Sequence, residues 1–204
     1  KITGKGLYKG TKTVNFNIRP ATVTKLKVSS TGEKSVKLSW KKVTGADSYA
    51  IYRYDNTSKK WQRIKTVKAV SFTDSGLARA KGYSYKVKAV KKSGGKEYIS
   101  ASYSKAVEAV TKPAKASCTA KSAGSGSIEV SWKAVGGASG YEIYSSSNGS
   151  DYVKSAKVGG SHKSAIVSGF EPYSLRMVKV RAYKTVNGKT SYGAFSQAVM
   201  VIVR

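Results

Sequence analysis

The stretch Val36–Tyr52, VKLSWKKVTGADSYAIY, returns 92 residues later as Ile128–Tyr144, IEVSWKAVGGASGYEIY. Val36, Leu38 and Trp40 alternate with Lys37 and Ser39, and Ile128, Val130 and Trp132 alternate with Glu129 and Ser131. A period of two is the pattern of a half-buried antiparallel strand. After each Trp, the small residues and glycines of KKVTGADS or KAVGGASG supply a turn. Tyr49 and Ile51, like Tyr141 and Ile143, are then predicted to share the inner face, which turns Tyr52 and Tyr144 outward.

Outward from this pair the alternation continues. SFTDSGLARAKGYSYKVKAV places Tyr83, Tyr85, Val87 and Ala89 on one side and Lys86 and Lys88 on the other. Its counterpart SAIVSGFEPYSLRMVKVRAY has Phe170 in the Leu77 place and Val178, Val180 and Ala182 inward. The repeats close with YSKAVEAVT and FSQAVMVIV. About seven strands per repeat, spaced by roughly 8 to 12 residues, is the count of an immunoglobulin-like sandwich. The sequence thus predicts an all-β fold of two tandem seven-stranded sandwiches at 20–112 and 113–204. Pro113 fixes its own φ and restrains Lys112, a short stiff joint that predicts a rod rather than a cleft.

A Trp ending the second strand, a Tyr-x-Ile strand after it, a Gly-Leu turn and Tyr83 six residues beyond Leu77 together resemble the fibronectin type III domain. Residues 20–112 fit well, and 113–204 fit on the Trp, Tyr and Gly-Phe landmarks. The Lys-rich GADSYAIYRYD style looks like bacterial versions from wall-attached or secreted proteins. The resemblance implies an extracellular or cell-surface setting, Gram-positive by its style. It puts the tyrosine corner on Tyr83, where the second repeat has Arg176, so the corner bond there is expected to be absent or supplied by Tyr173. Residues 1–19, with Gly4, Gly6 and Gly10 around Tyr8 and then Val14, Phe16 and Ile18, resemble the closing hairpin of a bacterial immunoglobulin-like repeat. The chain opens inside this patterned segment, which reads as a fragment of something longer.

The chain has 38 Lys and Arg against 10 Asp and Glu, a net charge of +28 spread over both repeats, with Lys far outnumbering Arg. Lys is the less suited to bidentate phosphate or base recognition, so no specific nucleic-acid partner is expected. One cysteine, Cys118, excludes an intramolecular disulfide, and with one histidine, His162, it makes no structural zinc set. No apolar run reaches the roughly 18 to 20 residues of a membrane helix, so membrane insertion is not expected.

The inventory for catalysis is thin. His162 sits in the turn GGSHKS and Cys118 in the alternating KASCTAKS, neither with an activating neighbour in sequence. Asp74, in FTDSGL, reads as a turn cap rather than a general acid. No D-x-D cluster offers a calcium loop, and GKGLYKGTKT lacks the Lys-Ser/Thr and the helix of a phosphate loop. The Arg-Gly-Asp tripeptide known from animal members of the resembled family is missing. The sequence therefore predicts no enzyme, no cofactor and no metal.

What remains is surface. Tyr52, Tyr54 and Trp61 are predicted to share one exposed sheet face with Lys86 and Lys88, and Tyr144, Lys179, Arg181 and Tyr183 repeat the theme. Such a face is either a platform for a glycan or anionic polymer or a cross-strand ladder in which Lys stems cover Tyr rings. Two roles follow: a spacer, display or attachment module whose partners are neighbouring domains of a parent protein, or a binding module for anionic wall polymers, polysaccharides or a host protein.

Overall fold

In the computed structural model residues 2–3, 11–13 and 18–204 are described. Every element among them is a strand. Ile2–Thr3 (β1) and Thr11–Lys12 (β2) pair antiparallel. The Gly4, Gly6, Gly10, Tyr8, Val14 and Phe16 features of the expected hairpin lie outside the described residues.

Eight strands follow in each repeat rather than seven. The first has Lys27–Thr31 (β3), Ser35–Ser39 (β4), Ser48–Asp55 (β5), Lys60–Val67 (β6), Ser71–Ser75 (β7), Gly82–Ser93 (β8), Lys96–Ile99 (β9) and Val107–Val110 (β10). The second has Thr119–Ser122 (β11), Ser127–Ser131 (β12), Gly140–Ser146 (β13), Val153–Gly159 (β14), Ser164–Ser168 (β15), Leu175–Val186 (β16), Lys189–Tyr192 (β17) and Val199–Ile202 (β18). The extra strand has a local cause. The last strand is broken in each repeat, so that β9 and β10 both pair with β8, and β17 and β18 both pair with β16. The break is pinned by Ser104 and Ser196, whose hydroxyls accept the Val87 and Val180 amides at 3.0 Å.

Both repeats use one topology: a three-stranded sheet ordered β3-β4-β7 or β11-β12-β15, and a five-stranded sheet ordered β6-β5-β8 or β14-β13-β16 with the two closing strands beside the long one. By proximity the residues fall into two compact units, one of 1–26, 40–70 and 85–106, the other of 27–39, 71–84 and 107–204.

The second unit contains the whole of the second repeat. Ile128 and Val130 of β12 meet Tyr141, Ile143, Val178, Val180 and Ala182 of the facing sheet in one buried cluster, with Trp132 at its edge. Each such aliphatic side chain contributes about 1.5–3 kcal/mol by leaving water. In the first unit the same positions, Tyr49, Ile51, Tyr85, Val87 and Ala89, are fully buried. The inward assignments read from the alternation are thus the buried ones, except for Tyr83, which is half-buried.

Tyr49 and Tyr141 do more than fill space. Their hydroxyls accept the Val43 and Val135 amides at 2.9 and 2.7 Å, closing the turn after each Trp over its own strand. That turn carries Gly45 and Gly137 at φ 76° and 77°, a conformation costly for any residue with a Cβ. Asp74 lies near the end of β7, opposite Val36, and is buried at the edge of the turn that the sequence assigned it to.

The tyrosine corner is present where the resemblance put it: the Tyr83 hydroxyl accepts the Ala78 amide at 2.9 Å. In the second repeat Arg176 instead lays its guanidinium 5.0 Å from the Phe170 ring centroid. Tyr173 does not replace the corner, since its side chain stands 85% exposed on a residue at φ 59°.

Candidate functional site

In the first unit, register builds the outward face of the five-stranded sheet. Tyr52 stands opposite Lys86 on one side and Arg63 on the other, and Tyr54 stands opposite Trp61. Trp61 meets Tyr54 edge-on at 5.3 Å, and Tyr103, from the break in the last strand, meets Tyr52 edge-on at 5.0 Å. The Lys86 ammonium lies 4.4 Å from the Trp61 centroid and 5.3 Å from that of Tyr103. Lys88 lies 4.3 Å from Tyr103 and donates to the Ala101 carbonyl at 3.1 Å. Tyr52, Tyr54, Trp61, Lys86 and Lys88 are therefore one cluster, with Tyr103 as a member that the sequence reading did not include.

Charge on this face is partly settled internally. Arg63 donates to Glu97 at 2.9 Å and to Thr66 at 2.6 Å. The Arg63 hydrogen bond holds the Glu97 carboxyl below its usual range, and burial pushes the Tyr52 hydroxyl up. Among the described residues, Lys86 and Lys88 make no ion pair.

In the second unit the same face has a buried carboxylate at its centre. Glu142 replaces Ala50, and its side chain is 2% exposed. Arg181, directly across the register, donates to it through Nε at 3.0 Å and Nη2 at 2.7 Å. The Tyr144 hydroxyl donates to the same oxygen at 3.2 Å, and Lys154 to the other at 3.4 Å. Burial alone would raise the Glu142 carboxyl, but the Arg181 hydrogen bonds and the charges of Arg181 and Lys154 outweigh it, so it is held below the usual range.

Rings enclose these cations. Arg181 lies 4.1 Å from the Tyr192 centroid and 4.8 Å from that of Phe195. Lys179 sits between Tyr152 at 3.4 Å and Phe195 at 4.7 Å, as Lys86 sits between Trp61 and Tyr103. Tyr183 joins this cluster through Tyr192, whose ring centroid lies 6.3 Å from its own, and it also lies under Lys157 at 4.6 Å. Its hydroxyl fills the space over Gly140, where a Cβ would also run into the Val158 carbonyl. The sequence reading joined Tyr144, Lys179, Arg181 and Tyr183 but passed over Glu142, Tyr152, Tyr192 and Phe195. One signal was available: Tyr103 and Phe195 hold the same place in YSKAVEAV and FSQAVMVI.

Elsewhere, His162 is exposed and its backbone carbonyl accepts the Trp132 indole N–H at 3.0 Å. Cys118 lies just before β11, half-buried, and burial pushes its thiol up, away from the reactive thiolate. Among the described residues no group of three His, Cys, Asp or Glu is placed to hold a metal ion, and no helix is long and apolar enough to cross a membrane.

No family model matches the chain. It is 43% identical over 100 residues to the poly(3-hydroxybutyrate) depolymerase of Ralstonia pickettii, a match spanning 49% of this chain and only 18% of that relative. The two-domain fibronectin type III segment of chicken tenascin superposes with a TM-score of 0.53 at 17% identity, covering 89% of this chain and 99% of that one. The first three fibronectin domains of chicken CNTN1 superpose at 0.45 and 19% identity, covering 91% and 68%. The tenascin likeness, with the strand orders above, shows the fold: tandem fibronectin type III sandwiches.

Proposed function

We propose that the chain is a non-catalytic spacer and display module of a secreted bacterial protein, built of sandwiches at 20–112 and 113–204. The observation that carries this reading is the partial match: a tandem sandwich related over 100 residues to a depolymerase, of which those residues form 18%. On this reading such a segment holds other parts of a polymer-degrading protein at a distance from one another. By the name of that relative, poly(3-hydroxybutyrate) is the substrate class we infer for the parent, with the chain outside the cell. A Gram-positive source finds no support in this relative.

The test exchanges the matching segment of the Ralstonia depolymerase for residues 20–204 of this chain, or deletes it. Turnover of a soluble short ester is expected to stay unchanged while degradation of solid granules varies with the length of the insert. Loss of soluble-ester turnover on deletion, or on His162→Ala or Cys118→Ser in the exchanged protein, would overturn the reading.

A second reading rests on Lys86 and Lys88, two cations without an ion pair among the described residues, held in place by Trp61 and Tyr103. Pre-placed ammonium groups bind anionic polymers at low ordering cost. Because they occupy the ring faces, charge rather than sugar stacking carries this face. Binding of the chain to heparin or teichoic acid should weaken steeply with salt, and Lys86→Gln with Lys88→Gln should flatten the log–log slope by about 2. An unchanged slope rejects this face.

A further inference from the structure

Inside the second unit, the hairpin β16–β17 is seated against the end of β10. Asn187 donates to the Glu108 carboxylate at 3.3 Å and Lys189 to the Glu108 backbone carbonyl at 3.1 Å. At its tip, Val186 Cγ1 lies 2.9 Å from where a Cβ on Gly82 would stand. Gly82 is thus the hole and Val186 the knob of this joint. The floor of the socket is Thr31 and the strand end Glu108, Ala109 and Val110.

The repeat carries the same socket 92 residues on. Glu108, Ala109 and Val110 correspond to Met200, Val201 and Ile202, and Thr31 to Ser122. These residues line an open groove of about 800 Å³ together with Leu175 and Arg204. In the first socket Val110 is 6% exposed; in the second Ile202 is 61%, Met200 67% and Leu175 44% exposed. An apolar strip of this kind on a sheet face marks a contact surface.

Size is inverted between the two sockets. Leu175 begins β16 where Gly82 begins β8, and Val186 ends β16 where Ser93 ends β8. A Leu in the hole demands a small residue at the incoming tip, and Ser93 is the tip residue of the hairpin type found in the first repeat.

We propose that the groove at Leu175, Met200 and Ile202 is the docking socket for a further sandwich module joined in series, whose hairpin carries a small residue in the Val186 place. This rests on the spacer reading and adds to it a joint with a size code. Arg204 joined to Pro20 reproduces the Lys112–Pro113 junction, so a copy of residues 20–112 placed after Arg204 presents the Ser93 hairpin in register. A copy of 113–204 placed there presents Val186 instead.

The readout is peroxide oxidation of Met200 followed by mass spectrometry, with added free methionine as the reference because Met177 stands opposite Met200 in the register, in about 0.3 M salt to screen like charges. With the 20–112 copy, Met200 oxidation is expected to slow about fivefold relative to residues 1–204 alone. The 113–204 copy should give no protection until Leu175→Gly opens the hole, and Ser93→Val in the 20–112 copy should abolish protection. Equal Met200 rates in all chains, or protection indifferent to the tip residue, would overturn the socket. Protection in unextended residues 1–204 at high concentration, with sedimentation as a dimer, would assign the groove to a second copy and also overturn the proposal. None of these readouts depends on a parent enzyme, so failure here is separable from failure of the spacer reading.

Discussion

Glu142→Ala makes the second repeat resemble the first at its Ala50 position, and it should be among the costliest single changes on the outer face. The carboxylate is 2% exposed and receives two hydrogen bonds from Arg181, one from Tyr144 and one from Lys154. Removing one member of a fully buried pair costs about 3–5 kcal/mol. Arg181 is 23% and Lys154 49% exposed, so water recovers part of their solvation. We therefore expect a loss of about 2–3 kcal/mol, and a fall in Tm of about 8–24 °C if the repeat melts as its own domain. The assay is calorimetry of residues 1–204 with Glu142→Ala, Arg181→Ala and the double variant, from pH 3 to 8.

The pH dependence has a fixed sign. The folded pKa of Glu142 is depressed, so its stabilisation is complete above the unfolded carboxyl pKa of about 4.3 and fades as pH falls through the lower folded value. Glu142→Ala should remove that part of the acid destabilisation and leave the neutral-pH difference constant above about pH 5. A variant within about 0.5 kcal/mol of the parent, or a coupling with Arg181 indistinguishable from zero, would refute the assignment.

Tyr141→Phe strands the Val135 amide at the base of the turn and should cost about 1–2 kcal/mol in the same calorimetric experiment. Tyr83→Phe removes the corner bond to Ala78 and should cost about 1 kcal/mol, with the partly exposed amide regaining water. Gly140→Ala forces a Cβ against the Val158 carbonyl and the Tyr183 hydroxyl, and should destabilise by about 3 kcal/mol or prevent folding of the repeat, seen as loss of amide-proton dispersion.

The inner half of this fold is written in the sequence because burial imposes a period. Val36, Leu38, Tyr49 and Ile51, and their partners 92 residues on, had to face one way, and they do. The break in the last strand was not legible, since YISASYSKAV alternates weakly and the break is pinned by one side chain, the Ser104 hydroxyl. On the outer face, the aromatics and lysines were found by parity, but Glu142 was passed over because an acid between two tyrosines looks solvated in sequence. Only the register, which sets Arg181 across from it, shows that it is buried.

The two outer faces reach one physical arrangement with different residues. In the first unit an ion pair lies on the sheet between Arg63 of β6 and Glu97 of β9, while in the second it lies between Arg181 of β16 and Glu142 of β13. In each, a lysine at the equivalent register position is held between two rings, Trp61 and Tyr103 or Tyr152 and Phe195. The pair moves between strands while the ring-bound lysine stays, so lysine against aromatic is the element that the sheet requires, at about 0.5–1 kcal/mol for each partly exposed contact. That requirement accounts for part of the lysine excess without any ligand. The ring-held lysines keep their charge, so they and the cations on the other strands and loops together form the pool from which long-range attraction to polyanions arises.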